Sequence, residues 1–464
     1  MTAAGPMNAM ERRSVLALSG VISSRMFGLF LLLPVLALYA AAMPGSTPFL
    51  VGLALGIYGL TQALFQLSFG MCSDIFGRKG VITLGLLVFI AGSVIAALSD
   101  TLPWLIAGRA IQGAGAVSSA VLALTADLTR EEQRTKAMAL IGISIGAVFL
   151  TSMALAPVLS LYIGIPGLFW LTAGLGVVAL LLLHGVVPSP SRHLRHRDVT
   201  PTASRMPAVL RDPQLLRLNV GALVLHLVLT ALFVVLPAEL SRMGDMTLHE
   251  HWKVYFPVLL LSVIGMVPLI AAGSRADRIA PMFRVAIFLL LAGLGGMALV
   301  TWGDGGPFLW LAACLWVFFC GFNALEAMLP SLVSRVAPAA DKGTAIGVFN
   351  TFQFFGVFAG GGLSGWMTGQ YGAGAVFLLC AALALAWLAI AWLSPAFRLS
   401  SSWVIHVGNP SDYSHVEALV DRIRAVRGVQ EVTIVRGEAL AYLKVDDREL
   451  DTAALQKLDQ IRGD

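Results

Sequence analysis

Twelve stretches of about twenty apolar residues, separated by short polar turns, constrain this chain more than any other feature. They lie near 14–40, 49–70, 80–99, 103–126, 137–159, 165–187, 216–238, 252–272, 282–302, 306–334, 343–368 and 372–394. Each is long enough to cross a hydrocarbon core about 30 Å thick as a helix, whose backbone N–H and C=O groups are satisfied without water. Composition removes the alternative. With 58% hydrophobic residues, 12% charged and a mean hydropathy of +0.83, there is too little polar surface to coat a soluble core. The expectation is an all-α membrane protein whose first partner is the lipid bilayer.

The turns alternate in charge. Arg78/Lys79, Arg130/Arg134/Lys136, the run from Arg192 to Arg217, Arg275/Arg278/Arg284 and Arg335/Lys342 fall on one side, against only Arg242 and Lys253 on the other. Because basic residues are retained in the cytoplasm, both termini and the loop 188–215 are expected there, in a multi-pass protein of a cell (inner) membrane. Arg12 and Arg13 precede a run that continues to about Ala42 without a cleavage-like site, so it reads as a retained helix rather than a signal peptide. The four cysteines, Cys72, Cys314, Cys320 and Cys380, have no metal-ligand spacing and read as packing residues. No metal is expected.

The longest polar interruption, 188–215, carries Pro188, Pro190, Pro201 and several arginines, and divides six spans (1–187) from six (216–394). Topology accounts for its arginines, although a basic run of this kind also attracts anionic lipid head groups. After Pro395 the pattern changes. Residues 395–464 read as a linker and a strand from Trp403, a helix from Ser414 to Val426, a hairpin of Val429–Val435 and Ala439–Val445 around Arg436-Gly437-Glu438, and a helix from Leu450 to Ile461. That β-α-β-β-α order suggests a small α+β ferredoxin-like module, with no fourth strand visible before Asp464. The segment lacks Cys-x-x-Cys and paired exposed aromatics, so metal and nucleic acid lose their usual ligands, and a regulatory or assembly role is favoured.

One short phrase occurs twice, 203 residues apart: Gly70-Met-Cys-Ser-Asp74-Ile-Phe-Gly77-Arg78-Lys79 and Gly273-Ser-Arg-Ala-Asp277-Arg278. Gly70 permits a close helix end, Gly77 suits a left-handed or tight backbone, and Arg78/Lys79 anchor the turn in the cytoplasm. Asp74 can face the positive N-terminal end of a helix from the other half, or an arginine, and so latch the cytoplasmic side shut. Any cytoplasmic turn collects glycine and arginine. A Gly-x-x-[Ser/Ala]-Asp phrase in both halves is explained less well that way, so these residues are candidates for a gate.

Ionisable residues inside spans are costly, and four stand out: Arg25, Arg109, His226 and Glu326. Arg25 lies about 16 Å along its helix from the cytoplasmic end, facing either a cavity or a neighbouring helix. His226 is a candidate proton carrier or a satisfied hydrogen-bonding group. Glu326, with Asn323 a turn earlier, fits a proton site with a raised pKa or a gate salt bridge. Arg109 begins close to a helix end, where snorkelling competes with a fixed-charge role. Tyr58, Gln62 and Gln66 on one helix, Asn323, and Asn350 and Gln353 beside Phe354 on another, are candidates to line a substrate cavity; bonds between helices are the alternative. With Phe27, Phe30 and Phe233 near in sequence, such a cavity favours hydrophobic or weakly polar solutes.

The first phrase resembles the turn signature of the major facilitator superfamily, approximately Gly-x-Leu-Ala-Asp-Arg-x-Gly-Arg-Arg/Lys. Cys72 replaces the usual Leu and Ile75 the usual Arg, which removes a charge relay through that position. A second signature, Arg-x-x-Gln-Gly-x-Gly, appears as Arg109-Ala-Ile-Gln112-Gly113-Ala-Gly115, and in the family that arginine is linked to proton coupling. Arg25, Pro34, Tyr58-Gly-Leu-Thr-Gln62, Leu225-His226, Phe322-Asn323-Ala-Leu-Glu326 and the tail look like a subgroup of inner-membrane transporters with a ferredoxin-like tail. The exporter signature of the fifth helix is only approximated: Ala156-Pro157 is flanked by small residues, with Gly142 and Gly146 as an earlier close-packing ridge. The resemblance implies two six-helix bundles and a proton-driven transporter.

No catalytic constellation and no phosphate loop of the Gly-rich Lys-Ser/Thr type is present, so the chain is not expected to be an enzyme or to use a cofactor. The expected function is secondary active transport by alternating access, as proton-coupled export (antiport) of small hydrophobic or amphipathic molecules by a monomer. Alternatives are a membrane sensor using the tail, or a uniporter or importer of the same fold.

Overall fold

The computed structural model describes residues 7–189, 206–273, 277–302, 306–338, 341–397, 401–406, 416–435, 440–445 and 449–455. The first half consists of α1 (Ala9–Ala41), α2 (Pro48–Phe76), α3 (Arg78–Ala97), α4 (Leu102–Ala114), α5 (Ser118–Asp127) and α6 (Glu131–Gly185). A short α7 (Met206–Arg211) leads into the second half: α8 (Pro213–Gly244), α9 (Trp252–Gly273), α10 (Ile279–Thr301), α11 (Phe308–Val336) and α12 (Lys342–Leu393). At 55 and 52 residues, α6 and α12 are twice as long as one crossing needs. Each is broken by a glycine with positive φ, Gly164 at 65° and Gly372 at 79°, a conformation that costs side-chain-bearing residues dearly. Each therefore crosses twice, and α4 with α5 crosses once, which makes twelve crossings among the described residues. The fourth span is not one continuous helix: it is interrupted at Gly115–Val117, between Ala114 and Ser118.

The outer surface is apolar. Leu299, Leu309 and Leu393 are 81%, 78% and 88% exposed, an arrangement that only a lipid solvent stabilises. Inside each half the helices approach through small residues, since between apolar helices in lipid close packing supplies the attraction. A Cβ at Gly92 of α3 would lie 2.6 Å from Cα of Gln112, and one at Gly293 of α10 would lie 2.6 Å from the Phe318 nitrogen of α11. The same packing device thus serves α3 on α4 and α10 on α11. The cysteines pack likewise: Cys320 fills the space at Gly265, and Cys314 that at Gly296.

The turns bearing Arg78, Arg130 and Arg278 mark one face of the molecule, here termed the basic side. The halves are packed together towards the opposite side. There α2 lies on α12 so closely that a Cβ at Gly52 would overlap the Gly361 carbonyl, and one at Gly56 would lie 2.8 Å from the Phe358 carbonyl. Closer to the middle, a Cβ at Gly59 would sit 2.5 Å from the Phe354 carbonyl. His249, in the turn after α8, lies 3.3 Å from the Pro157 carbonyl of α6. The largest core cluster accordingly runs through both halves, joining Leu31–Leu36 of α1 to Leu227–Leu236 of α8. The ridge expected at Gly142 and Gly146 is unpacked: a Cβ at either would meet nothing within 4 Å.

The tail forms β1 (Ser401–His406), α13 (Val416–Arg424), β2 (Val429–Val435) and β3 (Leu440–Val445). The sheet order is β1-β3-β2, both pairings antiparallel, so β1 and β2 run parallel with α13 as their crossover. Ile405, Ile423, Val432, Leu443 and Leu455 form its core. Helix resumes at 452–455; the expected turn at Arg436-Gly437-Glu438 and the rest of the last helix lie outside the described residues, as does 190–205 of the linker. The sheet touches the bundle at the basic side, where Lys444 Nζ donates to the Val336 carbonyl at the end of α11 (2.8 Å). Desolvation there draws the ammonium pKa down, opposed by the Glu431 and Asp212 carboxylates.

Candidate functional site

At the basic-side turn, α2 ends at Phe76 and α3 begins at Arg78, with Gly77 between them at φ 89°. The guanidinium of Arg78 is 3% exposed, too buried to serve as a solvated anchor. It pairs with Asp74, donates to Ser73 Oγ (2.7 Å) and pairs through Nε with Asp127 at the end of α5 (3.0 Å). Lys79 donates to the Val187 carbonyl. The ion pairs of Asp74 and Asp127 with Arg78 therefore staple α2, α3 and α5 together within the first half. Asp277 and Arg278, the second copy, are exposed. The two copies differ because only the first has an arginine at the residue after its second glycine, one turn on from the aspartate.

Composition hid a neighbouring staple. Asn8 and Glu11 form a capping box at the start of α1, and Glu11 Oε1 pairs with Nε of Arg130 at 2.9 Å. Its signal was local, Asn-x-x-Glu ahead of an apolar run. The partner, 119 residues away, had none.

In the middle of the first half, Arg25 is 1% exposed. Its Nη2 donates to the Tyr58 hydroxyl (2.7 Å) and to Gln62 Oε1, and its Nη1 donates to Ser118 Oγ (3.2 Å). Gln62 Nε2 passes the chain on to Gln66 Oε1 at 2.8 Å, and Ser119 Oγ donates to the Gln66 carbonyl at 2.9 Å. Tyr58, Gln62 and Gln66 are wholly buried, so in this conformation they do not line open space; the i, i+4 spacing expected to place them on a cavity wall instead stacks them beneath Arg25. Arg109 does not snorkel. It too is 1% exposed, lies 4.9 Å from the Tyr58 ring centroid and donates to Gln112 Oε1 (2.5 Å), while Gln112 Nε2 donates in turn to Ser93 Oγ (2.9 Å). Gly113 admits this packing, because a Cβ there would overlap the Tyr58 carbonyl.

The second half assembles a different cluster. His226 of α8 holds Nδ1 3.0 Å from the Ala222 carbonyl, a donor position, which leaves Nε2 to accept from Gln353 Nε2 of α12 at 2.7 Å. Glu326 Oε2 of α11 lies 3.5 Å from that same Nε2. A proton on Nε2 would turn the Glu326 contact into an ion pair and require the Gln353 amide to present its oxygen. The Glu326 side chain is 43% exposed, whereas the imidazole is 9% exposed. Asn323 donates to Ser262 Oγ (2.9 Å) and is an interhelical tie, while Asn350 is half-buried without a hydrogen-bond partner among the described residues.

Aromatic rings connect the halves at this level. Phe149 of α6 lies 5.1 Å edge-on from Phe30 of α1 and 6.3 Å from Phe322 of α11, and Phe322 lies 6.2 Å from the His226 ring. Phe149 was passed over in the sequence because it is one phenylalanine in a continuous apolar run. Only its neighbours distinguish it.

Comparison with known proteins agrees with this architecture. Residues 18–361 match the Major Facilitator Superfamily. The chain is 42% identical over 438 residues to the inner membrane transport protein YajR of Escherichia coli (strain K12), covering 94% of this chain and 95% of that one. It is 27% identical over 354 residues to the multidrug resistance protein MdtH of Aeromonas hydrophila, covering 75% and 84%. The crystal structure of a bacterial homologue of the human lysosomal transporter Spinster, inward-facing and occupied, superposes with a TM-score of 0.69 at 14% identity, covering 84% of this chain and 97% of that one. Twelve crossings in two halves, a charged turn that staples the first half and ionisable groups buried at mid-membrane thus have a common explanation: the chain belongs to the Major Facilitator Superfamily, as a membrane transporter and not an enzyme.

Proposed function

We propose that the protein is a proton-coupled exporter of small hydrophobic or amphipathic organic molecules in an inner membrane, working by alternating access with its basic side in the cytoplasm. The observation that carries this reading is the His226–Gln353–Glu326 cluster, where the imidazole nitrogen that accepts from Gln353 also faces a half-exposed carboxylate beside the aromatic bridge between the halves. Loading a proton there exchanges one hydrogen-bond arrangement for an ion pair, and so biases the packing of α8, α11 and α12. The glycine contacts of α2 on α12 hold the far side closed, which supports access from the basic side in this conformation. The Phe30, Phe149 and Phe322 rings that bridge the halves suit a solute that is mostly apolar. The names of the YajR and MdtH relatives, a transport protein and a multidrug resistance protein, lean the same way.

The test is efflux of a lipophilic dye such as ethidium from proteoliposomes with an imposed pH gradient. Flux that follows the gradient, with that dependence flattened in His226→Gln, supports the reading; flux indifferent to nigericin removes proton coupling. The Lys444–Val336 contact favours a second role for the tail, as a ferredoxin-like regulatory module read out through α11. Deleting residues 401–464 separates the two: retained flux marks a modulator, whereas lost flux with an intact bundle favours a sensor.

A further inference from the structure

On the basic side of the second half, the beginnings of α8 and α10 meet the end of α12, and a cleft opens between Arg217, Phe283, Arg284, Trp387, Pro395 and Phe397. None of these residues belongs to the gate or the central clusters. Arg217 uses one nitrogen, with Nη1 donating to the Pro395 carbonyl at 2.7 Å. Its Nε and Nη2 are buried and have no hydrogen-bond partner among the described residues. The guanidinium is stacked on Phe397, 3.9 Å from the ring centroid. Arg284 donates through Nε to the Ala391 carbonyl (3.0 Å) and lies 4.7 Å from the Trp392 ring.

The two guanidiniums line the same cleft, where like charges repel one another. Among the described residues neither has a carboxylate within ion-pair distance. Asp212, an acid whose charge acts on Arg217, is engaged as the cap of α8 through the Gln214 and Leu215 N–H groups at 2.8 and 3.0 Å. Two like charges in one cleft, one of them with two buried N–H-bearing nitrogens that lack a partner among the described residues, are a costly arrangement unless an anion with several acceptor oxygens lies between them. Guanidinium forks match phosphate in that geometry. Depth in the membrane narrows the carrier. Trp392 and Leu393, at the end of α12, are 64% and 88% exposed on the outer surface, the pattern of a helix end at the head-group layer.

We propose that this cleft binds a phosphate group between Arg217 and Arg284, carried by the head group of an anionic membrane lipid. Phe283, Trp387 and Phe397 supply the apolar walls for the glycerol end. The wall at Pro395–Phe397 is also the start of the connection to the tail, so the occupant packs against the tail's tether.

Native mass spectrometry of the purified full chain, titrated with phosphatidylglycerol or phosphatidylcholine, tests this, alongside thermal stability with inorganic phosphate. Wild type should retain phosphatidylglycerol over phosphatidylcholine, with Arg217→Gln and Arg284→Gln each lowering retention about fivefold and the exposed Arg211→Gln leaving it unchanged. Stabilisation by inorganic phosphate that both variants lose, without lipid retention, keeps the phosphate site but overturns the lipid as its carrier. Equal lipid retention by all four proteins with no stabilisation by phosphate overturns the site. Should a glutamine variant fail to fold, displacement of phosphatidylglycerol from wild type by millimolar phosphate supports the site. Lipid that phosphate neither displaces nor replaces overturns it.

Discussion

In the first half two guanidiniums, Arg25 and Arg109, are each 1% exposed and flank one tyrosine ring, held by hydroxyls, amides and a backbone carbonyl. In the second half the ionisable pair is His226 and Glu326, on separate helices, with the glutamate side chain 43% exposed. The folds of the halves are alike and their α3–α4 and α10–α11 packing uses the same glycine device, yet charge is handled oppositely. A guanidinium buried among amides cannot release its proton under ordinary conditions and serves as a fixed charge and a brace. An imidazole facing a carboxylate can change state. The contrast sets a braced, fixed-charge cluster in one half against the cluster that the proposed function uses in the other.

The sharpest way to break that contrast is Arg25→Ala. It strands the Tyr58 hydroxyl and Gln62 Oε1 and opens a cavity, and should cost roughly 2–4 kcal/mol in detergent unfolding; a loss below about 1 kcal/mol would mean the brace is dispensable. Next is Arg78→Gln at the basic-side staple. Leaving Asp127, 2% exposed, without its ion pair should cost about 2 kcal/mol and loosen α2 from α3, read as faster proteolysis at the 70–80 turn. The comparison predicts the reverse pattern for His226→Gln: stability within about 1 kcal/mol of wild type, because an amide replaces one ring nitrogen, but a flattened dependence of flux on pH. Substantial unfolding with unaltered pH dependence would make His226 a structural residue like Arg25. The smallest effect belongs to Lys444→Ala, which removes a single bond to the Val336 carbonyl and should cost about 0.5–1.5 kcal/mol of tail docking, measured by hydrogen exchange at the end of α11.

The twelve crossings, the break of α6 and α12 into pairs and the β-α-β-β tail were legible in the residues alone, because crossing length and hydropathy are local properties. So were the positive φ at Gly77 and the family signatures. Partner choice was not. Asp74 could face a helix of the other half or an arginine, and its pairing with Arg78 depends on how the chain turns at Gly77. Gln62 and Gln66 share a helix face, which says nothing about whether water, solute or Arg25 lies opposite; the packing of α1 on α2 placed Arg25 there. Gly142 and Gly146 read as a packing ridge, yet no helix among the described residues meets them while the halves are closed on the far side. Local sequence determined which segments enter the bilayer and which residues are expensive there. Only the tertiary structure decided which of those residues meet, since each contact is set by two helices distant in sequence and by the side on which the halves close.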